Sequence, residues 1–335
     1  MSIKVGINGF GRIGRDVVRG YYECGFEGFE IVAINATGDM ETFSHLFKYD
    51  SAYGRFEGTV EPYEDGLGIN GNKIKFTNHR NPEEIPWSEL GVEIVIDSTG
   101  AFRDREGLAK HITAGAKKVV LTAPGKGVDR TIVMGVNEDT YNPETDDVIS
   151  NASCTTNCLA PVTKVVLENF GIERGLMTTV HAYTNDQNIM DNKHKDLRRA
   201  RAAALNIIPT TTGAAQAVAE VLPEVKGKLT GYALRVPVIT GSLVDVTFEL
   251  SKETTVEEIN SVFKNAAENE LKGILKYTDE PLVSTDIIGE NNSSIFDSSL
   301  TLVKDKMVKL VAWYDNEWGY AQRVLDLTKY VAERM

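Results

Sequence analysis

Cysteine is scarce in this chain of 335 residues: there are three, an odd number, and two of them, Cys154 and Cys158, lie four positions apart. That usage suits free thiols in a reducing compartment better than a disulfide framework. Long apolar runs are missing as well, since no stretch approaches the ~18 residues that a membrane-spanning helix needs. Basic residues fall short of acidic ones, 36 against 48, and the net charge of −12 repels a nucleic-acid backbone or an anionic membrane surface. An anionic ligand must therefore meet a locally basic pocket. Repeats, low-complexity tracts and linkers rich in Pro, Gly or Ser are absent, and the opening Met1 to Gly6 reads as a strand, not as the apolar core of a signal peptide. The remainder, 42% hydrophobic and 25% charged, is the composition of an ordinary globular protein long enough for two domains. A cytoplasmic protein is expected, with no nucleic-acid and no membrane partner.

The first half alternates short apolar runs with longer amphipathic segments, the pattern of parallel strands joined by crossover helices. Ile3–Asn8 reads as a buried strand, Arg12–Cys24 as a helix and Glu30–Asn35 as the next strand. Strands at 93–98 and 118–121, with a helix at 105–114 between them, carry the doubly wound pattern to about residue 125. From Asn151 the texture changes to alternating strands such as Leu234–Val238 and Ser242–Leu250. The fold class expected is α/β, a Rossmann doubly wound parallel sheet followed by an α+β domain with a mainly antiparallel sheet. Residues 1–152 form the first domain, 153–316 the second, and 317–335 a helix that closes the first, with Val324, Leu325, Leu327, Tyr330 and Val331 spaced for one buried face.

After the first strand comes Gly9-Phe10-Gly11-Arg12-Ile13-Gly14, a GxGxxG with a strand before it and a helix after it. Gly9 permits the tight turn, Gly11 lets a pyrophosphate approach the backbone, and Gly14 allows close helix–strand packing. The pattern points to a dinucleotide site; its bland alternative is a structural turn. An acidic residue usually ends the second strand of an NAD site and accepts hydrogen bonds from the ribose, yet here the strand ends Asn35-Ala36-Thr37. NADP is thus as plausible as NAD, unless Asp39 or Glu41 supplies the carboxylate from a shifted turn.

Ser153-Cys154-Thr155-Thr156-Asn157-Cys158 precedes an apolar helical run, so Ser153 can cap the helix and Cys154 lies in its first turn. The N-terminal N–H groups and the helix dipole are expected to lower the thiol pKa there. Cys158 is expected to pack, and Pro161 to remove a donor near the helix start at small cost. No second Cys or His cluster with ligand spacing accompanies the pair, so no metal is expected. A cysteine nucleophile needs a base. His181 stands in a β-rich run that would aim a rigid imidazole at that helix, while His45, His79, His111 and His194 fall in exposed-looking contexts. A structural role for His181 stays open on pattern alone.

Taken together, these segments resemble phosphorylating glyceraldehyde-3-phosphate dehydrogenase. The likeness runs from Asn8–Arg15 through Lys48–Ser51, Ser153–Cys158, His181–Thr184 and Thr210–Ala215 to Trp313–Glu317. It implies a homotetramer that converts glyceraldehyde 3-phosphate and inorganic phosphate to 1,3-bisphosphoglycerate, with Cys154 as nucleophile and His181 as base. It implies Thr184, Arg199 and Arg235 for the substrate phosphate, and Ser153, Thr155, Thr212 and Gly213 for inorganic phosphate. For the cofactor it implies Gly9, Gly11, Arg12, Ile13, Gly14, Asn35, Ala36, Thr37, Arg80, Ser98, Thr99, Thr122, Asn192, Lys193, Tyr320, and Asn316 at the nicotinamide carboxamide.

Two departures touch the same ribose. NAD-preferring members of the family mostly have Asp where Ala36 stands, and many bacterial ones have Leu-Pro where Asn192-Lys193 stand. Losing a carboxylate and gaining a cation predicts NADP preference or dual use, and an anabolic direction of flux. Two other readings remain: erythrose-4-phosphate dehydrogenase, which releases its acyl product to water, and a non-catalytic nucleotide-sensing or nucleic-acid-binding protein that kept the fold.

Overall fold

A computed structural model describes residues 2–335. Two compact units emerge, one of residues 1–132, 138–152 and 321–335, the other of 133–137 and 153–320. In the first, Ile3–Asn8 forms the middle of a nine-stranded sheet among the described residues. On one side of it lie Ile94–Asp97, Lys118–Leu121, Val148–Ser150 and Arg130–Thr131, and on the other Phe29–Asn35, all parallel. Their Val and Ile side chains are buried because helices cover a parallel sheet on both faces. The parallel region therefore runs to residue 150, beyond the expected limit near 125. The far edge was not anticipated: Asn72–Thr77 pairs parallel with Phe29–Asn35, then Gly66–Ile69 and Val60–Tyr63 continue antiparallel.

The turn after the first strand needs its glycines. Gly9 has φ +94°, and a Cβ on Gly14 would lie 2.2 Å from the Gly9 carbonyl oxygen. The helix Arg12–Glu23 can thus start directly against the sheet. The helix Trp318–Ala332 differs from the expected one-faced amphipathic helix: Gln322, Arg323 and Thr328 are buried along with Val324, Leu325 and Leu327. Within the first unit it packs so closely on Arg12–Glu23 that a Cβ on Gly20 would come 2.5 Å from Gln322.

The second unit holds an eight-stranded mixed sheet. Its centre, Ile172–Ala182, pairs parallel with Leu229–Val236 and antiparallel with Ser242–Leu250, which continues antiparallel to Met307–Tyr314. Leu229–Val236 thus stops two residues short of the expected Val238 and starts five before Leu234. The helix Cys154–Phe170 packs on this sheet and on the helix Ala214–Val221. Pro161 is its eighth residue, past the N–H groups that lack partners in the first turn, so it removes a bond to the Asn157 carbonyl instead of sparing one.

His111 corrects another expectation, for it is fully buried under the first sheet. The Trp87 indole N–H donates to its Nδ1 at 3.0 Å, which leaves Nε2 to donate to Asp97 at 3.1 Å. Asp97 also accepts from Asn8 at 2.9 Å and from the backbone and hydroxyl of Thr99. Asn35 donates to Asn8 and to the His79 carbonyl. This chain of bonds ties the strand ends to one another. Replacing His111 by Leu orphans the Trp87 N–H and leaves that Asp97 oxygen to Asn8 alone, and we expect a stability loss of roughly 1–3 kcal/mol, read as a lower unfolding midpoint. An unchanged midpoint would contradict that accounting.

Candidate active site

Ser153 caps the helix as its sequence position suggests, accepting from the Thr156 N–H at 3.1 Å. The residue before it, Ala152, takes a left-handed backbone at φ +54°, a conformation costing about 1–2 kcal/mol outside glycine. Nothing in the local pattern announced that bend. It precedes the turn in which Cys154 begins the helix. From the neighbouring strand His181 brings Nε2 to 3.5 Å from the Cys154 sulfur. The Ala182 carbonyl, 2.7 Å from Nδ1, can only accept. A ring proton on Nδ1, directed at that carbonyl, leaves a lone pair on Nε2 facing the thiol, while the Arg235 guanidinium, a donor hydrogen-bonded to the same Nδ1, favours the opposite tautomer.

Arg235, on Leu229–Val236, lies against the same imidazole edge and donates to the Ala182 carbonyl at 3.1 Å. Burial, reinforced by that cation, pushes the His181 pKa down to about 3. Cys154 departs from expectation. Enclosure by protein raises its thiol above the ordinary value, outweighing the charge of Arg235, the Thr155 hydroxyl and the N-terminal N–H groups that favour the thiolate. Helix position alone does not win against desolvation. The resting pair is a neutral thiol facing a neutral base.

The residues expected at the two anion sites lie in the second unit, with Arg199 near enough to Arg235 to act on its charge. Arg199 donates to Thr210 at 2.7 Å and to the Thr211 carbonyl at 3.2 Å, and it is ion-paired with Asp186. Asp186 is a neighbour that sequence reasoning missed; its place five residues after His181 offered no periodic signal. Thr184 donates its N–H to Gln187, and Gly213 caps Ala214–Val221 with Thr212 accepting from the Ala214 N–H at 3.2 Å. Thr155 turns inward, its hydroxyl 2.9 Å from the Tyr314 oxygen. Asn316 accepts from Ser242 at 2.7 Å, and Tyr320 is buried. Asn192 and Lys193 are exposed, their carbonyls accepting from Asn188.

In the first unit a cleft of about 510 Å³ opens over the glycine turn. Gly9, Gly11, Asn35, Ala36, Thr37, Arg80, Ser98 and Thr99 line it. A Cβ on Gly11 would project into open space there, so the backbone is left bare for an approaching phosphate. The residues present fit a dinucleotide. Gly14 and Ile13 belong to the helix start behind the turn, Thr122 donates its N–H to the Asp97 carbonyl, and Arg12 pairs with Asp50. Missed by sequence reasoning were Phe43, His79 and Arg15 in the lining; Arg15 follows Gly11 by four residues and so shares its helix face. Asp39, the alternative ribose carboxylate, accepts from the Thr42 N–H at 2.7 Å and the Thr42 hydroxyl at 2.9 Å as the cap of Met40–Lys48. Among the described residues no group of three or more His, Cys, Asp or Glu side chains is arranged to hold a metal, and no helix is long and apolar enough to cross a membrane.

Comparison with known proteins matches residues 3–105 to the model of the glyceraldehyde 3-phosphate dehydrogenase NAD binding domain and residues 153–316 to that of the C-terminal domain of the same enzyme. The chain is 58% identical over its whole length to the full glyceraldehyde-3-phosphate dehydrogenase of Streptomyces coelicolor. It is 58% identical to that of Geobacillus stearothermophilus, covering 100% of this chain and 99% of the relative. A chloroplastic glyceraldehyde-3-phosphate dehydrogenase A of Zea mays is 55% identical over 99% of this chain and 83% of its own length.

The electrostatics of the pair are testable by nuclear magnetic resonance. In Arg235→Leu the imidazole loses a neighbouring cation while staying buried, so the His181 pKa should rise from about 3 yet remain below the ordinary 6.5. An unmoved titration would remove Arg235 from this role.

Proposed function

The chain belongs to the glyceraldehyde-3-phosphate dehydrogenase family, an NAD(P)-dependent aldehyde dehydrogenase, and from that premise we propose that Cys154 and His181 oxidise glyceraldehyde 3-phosphate to an acyl phosphate with NADP, or NADP and NAD alike. The observation that carries the reading is the 3.5 Å approach of the Cys154 sulfur to Nε2 of the His181 imidazole.

In this mechanism Cys154 gives its proton to Nε2 of His181 and its sulfur attacks the aldehyde carbon. The carbonyl electron pair moves to oxygen, which the Cys154 N–H and the protonated imidazole hold. His181 returns the proton to that oxygen, then removes it again as the carbon is oxidised to a thioester. Bound nicotinamide supplies the hydride acceptor. A substrate phosphate placed by Thr184, Arg199 and Arg235 would offset the Arg235 charge and make His181 a stronger base, so the depressed basicity of the resting ring belongs to the ligand-free site. Inorganic phosphate, placed by Ser153, Thr155, Thr212 and Gly213, attacks the thioester carbon and expels the thiolate, which recovers its proton from His181.

NADP use rests on Ala36, which lines the cleft where a carboxylate would repel a 2′-phosphate, with Thr37, His79 and Arg80 around it. The commitment of Asp39 to its helix cap supports the same reading. A homotetramer is supported by Ile189, Met190, Leu197 and Leu205, each at least 74% exposed on the segment after Thr184, an apolar surface that a monomer would leave in water.

One assay tests these points together: reduction of NADP and NAD by the purified protein with glyceraldehyde 3-phosphate, with and without inorganic phosphate. We expect kcat/KM for NADP to equal or exceed that for NAD, and turnover without phosphate to stop after one equivalent. Sustained turnover without phosphate would favour the erythrose-4-phosphate type of reaction, and a strong NAD preference would overturn the cofactor reading. Lys193→Ala should weaken NADP selectively. Cys154→Ser should bind cofactor without a thioester burst, and His181→Asn should lower kcat by ~10²–10⁴-fold.

A further inference from the structure

The rim of the first unit's cleft beside Ala36 is built from two chain segments fastened together. Ala36 donates its N–H to the Thr77 carbonyl at 3.1 Å, and the Asn78 amide donates to the Gly38 carbonyl at 3.5 Å. Asn35 grips the backbone of His79 on both sides: its oxygen accepts the His79 N–H at 2.9 Å, and its amide donates to the His79 carbonyl at 2.9 Å. The other bonds of that carboxamide go to Asn8 at 2.8 Å and to the Thr77 hydroxyl at 2.9 Å, so Asn35 has no hydrogen-bonding capacity left for a ligand. It works as a clamp. What the clamp fixes is a histidine that lines the same cleft as Ala36 and Thr37. Among the described residues no hydrogen bond, ion pair or ring contact engages the His79 imidazole, which is half-buried.

Charge in the lining is of one sign. Arg15 and Arg80 accompany His79, and no carboxylate lines the cleft among the described residues. Arg15 donates to the Phe10 carbonyl at 2.9 Å and so belongs to the glycine turn, where a pyrophosphate approaches. His79 and Arg80 stand with Ala36 and Thr37 past the end of the second strand, where a dinucleotide fold meets the ribose 2′ position. Of the carboxylates on the flanking segments, Asp39 gives both oxygens to Thr42, Glu83 pairs with Lys110, Glu84 accepts from Asn81, and Glu41 is exposed outside the lining.

We infer that His79 is a specificity-determining residue: its imidazole takes up a proton on meeting the 2′-phosphate of NADP, so that acidity favours NADP over NAD. This rests on the reading of the cleft as an NADP site. A phosphate monoester is largely dianionic at neutral pH, and a dianion beside an imidazole favours the protonated ring. The proton comes from solvent to the vacant ring nitrogen, and the N–H so formed donates to a phosphate oxygen. Binding that takes up a proton tightens as pH falls, until the phosphate itself becomes protonated. The ribose hydroxyl of NAD has no charge to offer and leaves the ring as it was. Arg80 differs in kind, since a guanidinium stays charged throughout and attracts the phosphate equally at every working pH.

The test is equilibrium binding, by calorimetry on the intact protein at constant low ionic strength, of adenosine 2′,5′-bisphosphate and of 5′-AMP, which differs only in lacking the 2′-phosphate. In the parent the bisphosphate should bind about 5-fold more tightly at about pH 6.5 than at about pH 8, while 5′-AMP changes less than ~2-fold. His79→Gln, polar but unable to charge, should hold the bisphosphate at both pH values only as well as the parent does at the higher one. His79→Lys, a cation throughout, should bind it tightly at both. The imidazole has no partner inside the protein, so neither variant removes a bond on which the fold depends. A parent without the pH response, or a His79→Gln protein that keeps it in full, would overturn the inference while the bisphosphate still outbinds 5′-AMP and NADP use stands. A bisphosphate that binds no better than 5′-AMP at either pH would overturn the cofactor reading, and the inference with it.

Discussion

The approach of one sulfur to one imidazole is the constraint to which the second unit is built. It demands a helix that begins at the right place and a strand whose side chain leans toward that beginning. Ser153 fixes the first by capping, and Ala152 contributes a strained bend that a capped helix start makes affordable. The second comes from the parallel pairing of Ile172–Ala182 with Leu229–Val236, which sets His181 opposite Arg235 in register. The pairing that holds the base in place thus delivers the cation that suppresses its protonation.

Much of this was legible from the chain alone. Ile3–Asn8, Lys118–Leu121 and Ser242–Leu250 begin and end where apolar runs predict, because each carries a run of four buried residues or a strict alternation. The antiparallel edge at residues 60–77 was not legible, since Val60–Tyr63 is largely exposed and carries little periodicity. His111 escaped for a different reason: its partners Trp87 and Asp97 are 24 and 14 residues away, and no local pattern records them. At the site, the residue types and the cap could be read, but the thiol's raised pKa could not. Desolvation is a property of the whole enclosure, whereas the helix start is a property of six residues.

An acidic protein handling anionic ligands distributes its charge unevenly. Arg199 and Arg235 are placed where anions are expected, and Arg199 is held by Asp186 until something displaces that carboxylate. Such a pairing keeps a cation soluble and oriented without spending its full attraction on water.

The helix Trp318–Ala332 is enclosed on nearly every side, and the residues from Ala321 onward complete the first unit, whose opening strand lies some three hundred positions earlier. During synthesis on a ribosome, that unit must wait for residues 321–335 before its core can shut. A message that stops before codon 321 would yield a product whose Arg12–Glu23 helix lacks its Gln322 cover and exposes that flank, ready for proteolysis.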